Sequence, residues 1–455
     1  MNAFNRFSVV LAVAFTSFTP VAFVPTAFAI DVEEVKTRDG MTAYLAEDSS
    51  NPLIAFSFEF RGGSSIDPDD KLGLSNMVAG LLDEGAGDLD SFAFQSQLQD
   101  MAIRLSFSAS TDSFSGSLTT IKANADEAFK LLTLALTQPR FDDEPVERIR
   151  RQIQVGLARQ AESPQQIARD TLFKSLFPNH PYGRPADGTP ETVQAITVDD
   201  LKSYTAGRFA KDRLIIGVAG DISPRQLRKR LDEVFGHLPE SLPTEWRVPQ
   251  TQLTFVGTVV VDKAVPQSTV YLAQPGLART DPDWYAALIT DYVLGGGSFA
   301  SRLMDEVREK RGLAYGVNTS LVPYESAPMV LASVATRNDA VAESIAVIRD
   351  EWQKFQADGP TAEELDGAKK YLTGSWPLSF TSSGRIASIL VAVQRDDLGK
   401  DFLDRRNDFI ESVTLDDVRR VAAELYQPDQ LSVIVVGQPE GLEGAVTIEP
   451  VAAGG

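Results

Sequence analysis

The chain has 455 residues, no cysteine and only two histidines, His180 and His237. The first absence excludes a disulfide framework, a thiolate metal site and a cysteine nucleophile. The second excludes a pair of histidine ligands one helical turn apart. His180 lies in the turn-like "PNHPYGRP", and His237 precedes Leu238-Pro239 at a helix end. Both read as structural. A site built from Asp and Glu alone would suit calcium or magnesium better than zinc, so no metal is expected in this chain. Positive charge is also scarce, with 43 Lys+Arg against 63 Asp+Glu and a net charge of −20. Phosphate contacts need clustered Lys and Arg, which argues against nucleic acid as a main partner. No segment after the N-terminus is apolar enough to cross a bilayer, and no stable membrane insertion is expected.

The N-terminus carries an export pattern. "MNAFNR" gives a short basic start, "FSVVLAVAFTSF" an apolar run, and Ala27-Phe28-Ala29 an A-x-A cleavage site. Residues 1–29 read as a signal peptide cut after Ala29. Pro20 and Pro25 break the run too early for a clean membrane anchor. Export without disulfides fits a periplasmic location.

With 43% hydrophobic and 23% charged residues, the remainder reads as globular. One internal repeat organises it. "ITVDDLKSYTAGRFAKDRLIIGVAGDI" at 196–222 superposes without a gap on "VTLDDVRRVAAELYQPDQLSVIVVGQP" at 413–439. Thr197 matches Thr414, Asp199-Asp200 matches Asp416-Asp417, and Gly220 matches Gly437. Each copy predicts a Thr-capped helix, a turn and a buried strand. The repeat is too long for a solenoid unit and marks a domain duplication. The expected division is 30–240, a Pro-rich linker at 241–253, 254–442, and a tail at 443–455. In each half strand pairs alternate with helix pairs. "LIAFSFEFRGG", "IRLSFSAST" and "SFSGSLTTI" in the first half correspond to "STVYLAQPG", "LAYGVNTSLV" and "MVLASVAT" in the second. Helices are expected around 124–137, 143–161, 339–356 and 361–372. The fold class is α+β, with two duplicated domains, each a mainly antiparallel sheet with helices packed on one face.

Two stretches carry the functional argument. In "GLSNMVAGLLDEG", 73–85, Leu74, Met77, Val78 and Leu81 form one buried helical stripe. The adjoining stripe, Asn76, Ala79, Gly80 and Asp83, is almost bare, and a glycine at 80 within a helix costs about 1 kcal/mol. In "LGGGSFASRLMDEVREKRGLAYGV", 294–317, Gly295-Gly296-Gly297 ends one helix and Ser298 is expected to cap the next. Phe299, Leu303 and Val307 fall four apart as a core stripe, and Gly312 ends the helix. Arg308 then lies on the last turn and Tyr315 on the following strand. Their structural roles would be an ion pair to Glu309 or Asp305 and a core tyrosine. The absence of a following G-K-[ST], and a run that joins helix to helix rather than strand to helix, argue against a phosphate loop.

These features together resemble the zinc peptidase family that includes pitrilysin, insulin-degrading enzyme and the mitochondrial processing peptidase. The resemblance covers nearly the whole chain after residue 29. It implies the mitochondrial-processing-peptidase-like metallohydrolase fold. Active members carry H-x-x-E-H in a G-[LI]-[AS]-H-x-x-E-H setting, with two zinc-binding histidines and a glutamate base. Aligned on Gly73-Leu74-Ser75, the ligand positions fall on Asn76 and Gly80 and the base on Ala79. The third ligand position falls at Gly156 or a neighbour. The bare stripe is, on this reading, a metal face without its ligands. The resemblance further implies that Arg308 and Tyr315, at the family's seven-residue spacing, clamp the scissile carbonyl of a peptide. Gly295, Gly296, Gly297 and Ser298 would line the chamber against substrate, on a flexible glycine loop that helps admit peptide. A working chamber needs four such domains. The implied partner is a chain of similar length bearing H-x-x-E-H, zinc and an edge strand for an extended peptide. The alternative is a catalytically inert homodimer of the same fold, structural or peptide-binding.

Overall fold

The computed structural model describes residues 30–243 and 247–449. The signal peptide read at 1–29 lies outside the described residues, as do 244–246 of the linker and the end of the tail. The first half builds six strands: β1 (Glu33–Lys36), β2 (Thr42–Glu47), β3 (Leu53–Arg61), β4 (Arg104–Ala109), β5 (Ser113–Ile121) and β6 (Leu214–Gly220). The second builds β7 (Thr258–Asp262), β8 (Gln267–Pro275), β9 (Ala314–Val322), β10 (Met329–Arg337), β11 (Ser432–Gly437) and β12 (Val446–Ile448). The sheet orders are β1-β2-β6-β3-β5-β4 and β12-β7-β11-β8-β10-β9. From β2 to β6 and β7 to β11 the two sheets are the same arrangement, with one parallel pair in each repeat (β2 with β6, β7 with β11). The outermost strand breaks the repeat. β1 comes from the start of the chain and is antiparallel to β2, whereas β12 comes from the end and is parallel to β7. The segment expected as a tail from 443 therefore contributes an edge strand. Its backbone groups satisfy a row of β7 donors and acceptors that would otherwise lie bare.

The repeated sequence forms as its capping signals demand. Val198–Arg208 and Leu415–Leu425 are helices entered through capping boxes. In the first, the Asp200 amide donates to Thr197 Oγ1 at 3.2 Å and the Thr197 amide to Asp200 Oδ2 at 2.8 Å. In the second, the matching distances for Thr414 and Asp417 are 3.2 and 2.9 Å. Each box satisfies two amides that a helix start would leave unpaired. The long helices Ala125–Thr137, Asp143–Gln160, Val341–Asp358 and Ala362–Gly374 stand close to where periodicity places them.

Each sheet packs its own helices on one face around an aromatic centre. Phe56, Phe58, Phe60 and Phe235 fill the first core, and Trp352, Phe355 and Tyr426 the second. The two halves cover the opposite faces of the central strands reciprocally, through small and apolar residues and, on β3, through buried Ser57 and Glu59, which meet Ser388 and Arg395 of the covering helix. Helix Pro164–Leu176 of the first half lies on β8 and β11, with Ala168, Leu172 and Leu176 against Ala273, Ile434 and Val436. Helix Ser383–Arg395 of the second half lies on β6 and β3, with Ala387 and Leu390 against Ala55 and Ala219. The halves are also tied through Tyr182, whose hydroxyl donates to Asp112 Oδ1 at 2.7 Å and accepts from the Ser326 amide at 3.0 Å. His180 has a structural role, since its ring bonds the Tyr182 amide and the Pro249 carbonyl.

Candidate functional site

The bare helix is shorter than its periodicity suggests and carries no ligand set. It spans only Leu74–Ala79, and Gly80 is the capping residue rather than a mid-helix one. The helical periodicity of 73–85 thus ends sooner than expected. After Val78 the backbone tightens into turns, with the Leu81 amide bonding Val78 O at 3.0 Å. The helix start is fixed from behind by buried Asp67, which accepts from the Ser75 amide at 3.0 Å and from Ser75 Oγ at 2.6 Å. Burial raises the Asp67 carboxyl to about 6 against those bonds. Asn76 and Gly80 are half-buried and Ala79 is buried. A Cβ at Gly80 would meet Ile149 Cγ2 at 3.2 Å, so an aliphatic side chain of the Asp143–Gln160 helix presses on this face. Gly156 lies farther along that helix on the same stripe as Ile149, facing open space. An amide, a methyl group and two glycines offer no ligand set for zinc. Among the described residues no group of three or more His, Cys, Asp or Glu is placed to hold a metal ion. The residues do not fit the family's zinc.

The second stretch assembles an open site. Helix Trp284–Asp291 continues into a π-helical turn, Tyr292–Gly296, closed by the Gly297 amide on Tyr292 O at 2.8 Å. A second π-helical segment, Met304–Glu309, carries Arg308. Such wide turns recur at functional sites. The three glycines serve close packing rather than backbone freedom, and none has positive φ. A Cβ on Gly295 would meet Thr319 Oγ1 of β9 at 2.6 Å, one on Gly296 the Asp291 carboxylate at 2.6 Å, and one on Gly297 the Tyr292 carbonyl at 2.6 Å. Gly295 is buried, which leaves Gly296, Gly297 and Ser298 on the accessible rim.

Ser298 does not cap the helix that follows. It adopts φ 52°, and the cap is Ser301, whose Oγ takes the Met304 amide at 3.5 Å and donates to the Ser298 carbonyl at 2.7 Å. The helix thus begins about three residues later than the sequence suggests. Leu303 and Val307 remain in the core, but Phe299 precedes the helix and is 68% exposed. The expected three-residue core stripe loses its first member for that reason.

Arg308 and Tyr315 come together. The Arg308 guanidinium carbon lies 5.0 Å from the Tyr315 ring centroid and 4.6 Å from that of Phe299. Tyr315 is 86% exposed, so it is not a core residue. The neighbouring charges are assigned elsewhere. Glu306 binds Arg311 and, at 2.5 Å, Lys310, which also reaches Asp305 at 2.8 Å. Among the described residues Arg308 keeps one long ion-pair contact, 3.5 Å to the exposed Glu309, a pairing of little energetic weight. Its Nη1 is buried without a hydrogen-bond partner among the described residues, at a desolvation cost of about 1–3 kcal/mol. The arrangement can present a guanidinium and a phenol side by side to an incoming carbonyl oxygen. Phe299, and Asp291 beneath the glycines, escaped sequence reasoning. The one available signal was an aromatic following directly on a Gly-Gly-Gly-Ser run.

Asp291 is buried, with Oδ1 lacking a hydrogen-bond partner among the described residues and the Tyr426 hydroxyl nearby. Burial pushes its carboxyl up to about 7, and Thr319 only partly opposes this. A folded-state value above the ordinary 3.8 means that the group favours folding below about pH 4, and that this stability is lost as pH rises through 7. Asp291→Asn is therefore expected to change stability little at pH 4 and to raise it at pH 8 by up to about 4 kcal/mol. Urea unfolding of both proteins at the two pH values tests this, and a gain independent of pH would contradict it.

Comparison with known proteins agrees with this architecture. Residues 43–189 match the family described as Insulinase (Peptidase family M16), and residues 195–372 match the Peptidase M16 inactive domain. The non-peptidase homolog YmxG of Helicobacter pylori is 32% identical over 332 residues, 72% of this chain and 76% of that protein. The crystal structure of a peptidase M16 inactive domain from Pseudomonas fluorescens superposes with a TM-score of 0.84 at 27% identity, covering 90% of this chain and 98% of that one. A chain of complex III2 from Candida albicans superposes at 0.76 with 15% identity, covering 90% of this chain and 97% of its own, and shares the fold alone. The chain belongs to the insulinase family, peptidase family M16, as a member without the zinc-binding residues.

Proposed function

We propose that this protein is the zinc-free subunit of an exported, periplasmic heterodimeric zinc peptidase. In this reading it supplies half of the chamber and an Arg308–Tyr315 clamp on the scissile carbonyl of an extended peptide. The carrying observation is the pairing of Arg308 with a tyrosine that is 86% exposed. A protein serving only as a scaffold gains nothing from holding an aromatic ring in water beside a poorly paired guanidinium. The partner is a chain of similar length that bears H-x-x-E-H, zinc and the general base. This chain's part is electrostatic. Arg308 and the Tyr315 hydroxyl donate to the carbonyl oxygen as negative charge develops on it, in fixed positions that need no solvent reorganisation. A second reading, a catalytically inert homodimer that binds peptides or serves as structure, is favoured by the non-peptidase name of the Helicobacter relative.

The discriminating experiment is a tagged pull-down from the native periplasm, followed by intact-complex mass and metal analysis. The expected result is a one-to-one complex with an H-x-x-E-H chain carrying zinc. A metal-free homodimer would overturn the heterodimer and leave the second reading. Absence of the protein from the periplasmic fraction would overturn the location.

A further inference from the structure

Phe299 is exposed where its four-residue spacing to Leu303 and Val307 called for burial. The residue before it, Ser298, takes a left-handed backbone at φ 52°, a conformation costly for a non-glycine residue. A loop that combines a strained serine with a solvent-facing phenylalanine is not explained by stability, since burying that ring would be favourable. What the conformation does achieve is contact with Arg308, whose guanidinium lies 4.6 Å from the Phe299 ring centroid and 5.0 Å from that of Tyr315. Glycine packing holds the loop in place from below, since Gly295 fits against Thr319 only because it lacks a Cβ. Ring, guanidinium and phenol are thus carried by three consecutive segments locked to one another.

We infer that Phe299 is a positioning residue for Arg308: its ring fixes the guanidinium plane and keeps water from Nη1, so that the group meets a substrate carbonyl in one orientation. An arginine side chain left free samples many rotamers, and the ordering is then lost at each turnover. A ring over the guanidinium supplies that ordering in advance, and its attraction grows as water is excluded. The inference rests on the clamp reading of Arg308 and Tyr315 and adds a residue outside it.

The test uses Phe299→Leu and Phe299→Tyr. Both are expected to fold, because most of the Phe299 ring is already in solvent. In the complex recovered with the native partner, hydrolysis of a quenched fluorescent peptide gives kcat and KM. In the isolated chain, the modification rate of Arg308 by phenylglyoxal, read by peptide mass spectrometry, reports on shielding. Phe299→Leu is expected to lower kcat about 3- to 30-fold with KM little changed, and to speed modification of Arg308. Phe299→Tyr is expected to restore both. Unchanged Arg308 reactivity in Phe299→Leu overturns the inference whatever the activity shows. So does full kcat in Phe299→Leu where Arg308→Lys loses it. If Arg308→Lys itself keeps full kcat, the clamp reading falls and this inference falls with it.

Discussion

Tyr315→Phe is expected to reduce peptide hydrolysis by the reconstituted pair about 10²- to 10³-fold, with the partner's zinc content and the thermal stability of both chains unchanged. The substitution removes one hydroxyl and nothing else. The ring stays over Arg308, so the cation–π contact at 5.0 Å persists. Tyr315 is largely in solvent, so no core packing is lost. The predicted loss is that of a single preorganised donor to a developing oxyanion, about 2.7–4 kcal/mol of transition-state stabilisation. It should appear in kcat far more than in KM, because the bond strengthens only as charge develops. Full activity in the variant would remove the clamp from the mechanism and leave Tyr315 an exposed ring without a role.

The second large effect concerns the joint between the halves. Gly217 in β6 lies under the Ser383–Arg395 helix. A Cβ there would land on the carbonyl oxygen of Ala387, far inside van der Waals contact, and within 2.9 Å of Leu390 Cβ. Backbone cannot swing aside as a flexible side chain can. The helix is further held by Gln394, whose Nε2 donates to the Ile216 carbonyl at 2.6 Å. Gly217→Ala is therefore expected to cost about 1–3 kcal/mol by overpacking and to lift this helix from the sheet. Thermal unfolding followed by circular dichroism and limited proteolysis within 383–395 would read both effects. The matching strand position in the second sheet is Ile434, buried beneath the Pro164–Leu176 helix. That helix is held off by a full side chain, so Ile434→Val should be far milder. Wild-type stability and unchanged protease resistance of 383–395 in Gly217→Ala would show that close backbone approach is not what Gly217 provides.

The parts legible in the sequence were those written as local signals. Thr197 with Asp200 and Thr414 with Asp417 announce helix starts by chemistry that needs no tertiary context, and their recurrence exposed the duplication. The spacing from Arg308 to Tyr315 survived because Gly312, at φ 62°, ends the helix where the sequence indicates. What failed depends on geometry that 3.6-residue periodicity does not encode. The π-helical turns at Tyr292–Gly296 and Met304–Glu309 shift the register, and the helix start moved from Ser298 to Ser301, which put Phe299 outside. The approach of Ile149 to Gly80 and the choice of sheet for Pro164–Leu176 and Ser383–Arg395 are tertiary facts. An amphipathic helix specifies that it needs an apolar surface, not whose surface it takes.

That last choice bears on how such a chain came to exist. A single copy of the repeat would carry a helix with no sheet of its own to rest on, and a sheet with one central face bare. Two copies trading the helix complete both cores at once, which is the geometry of a domain-swapped dimer joined end to end. Neither half covers both faces of its sheet with its own helices. Separating the two halves would strip each sheet of its covering helix, so the fused chain holds together as one unit.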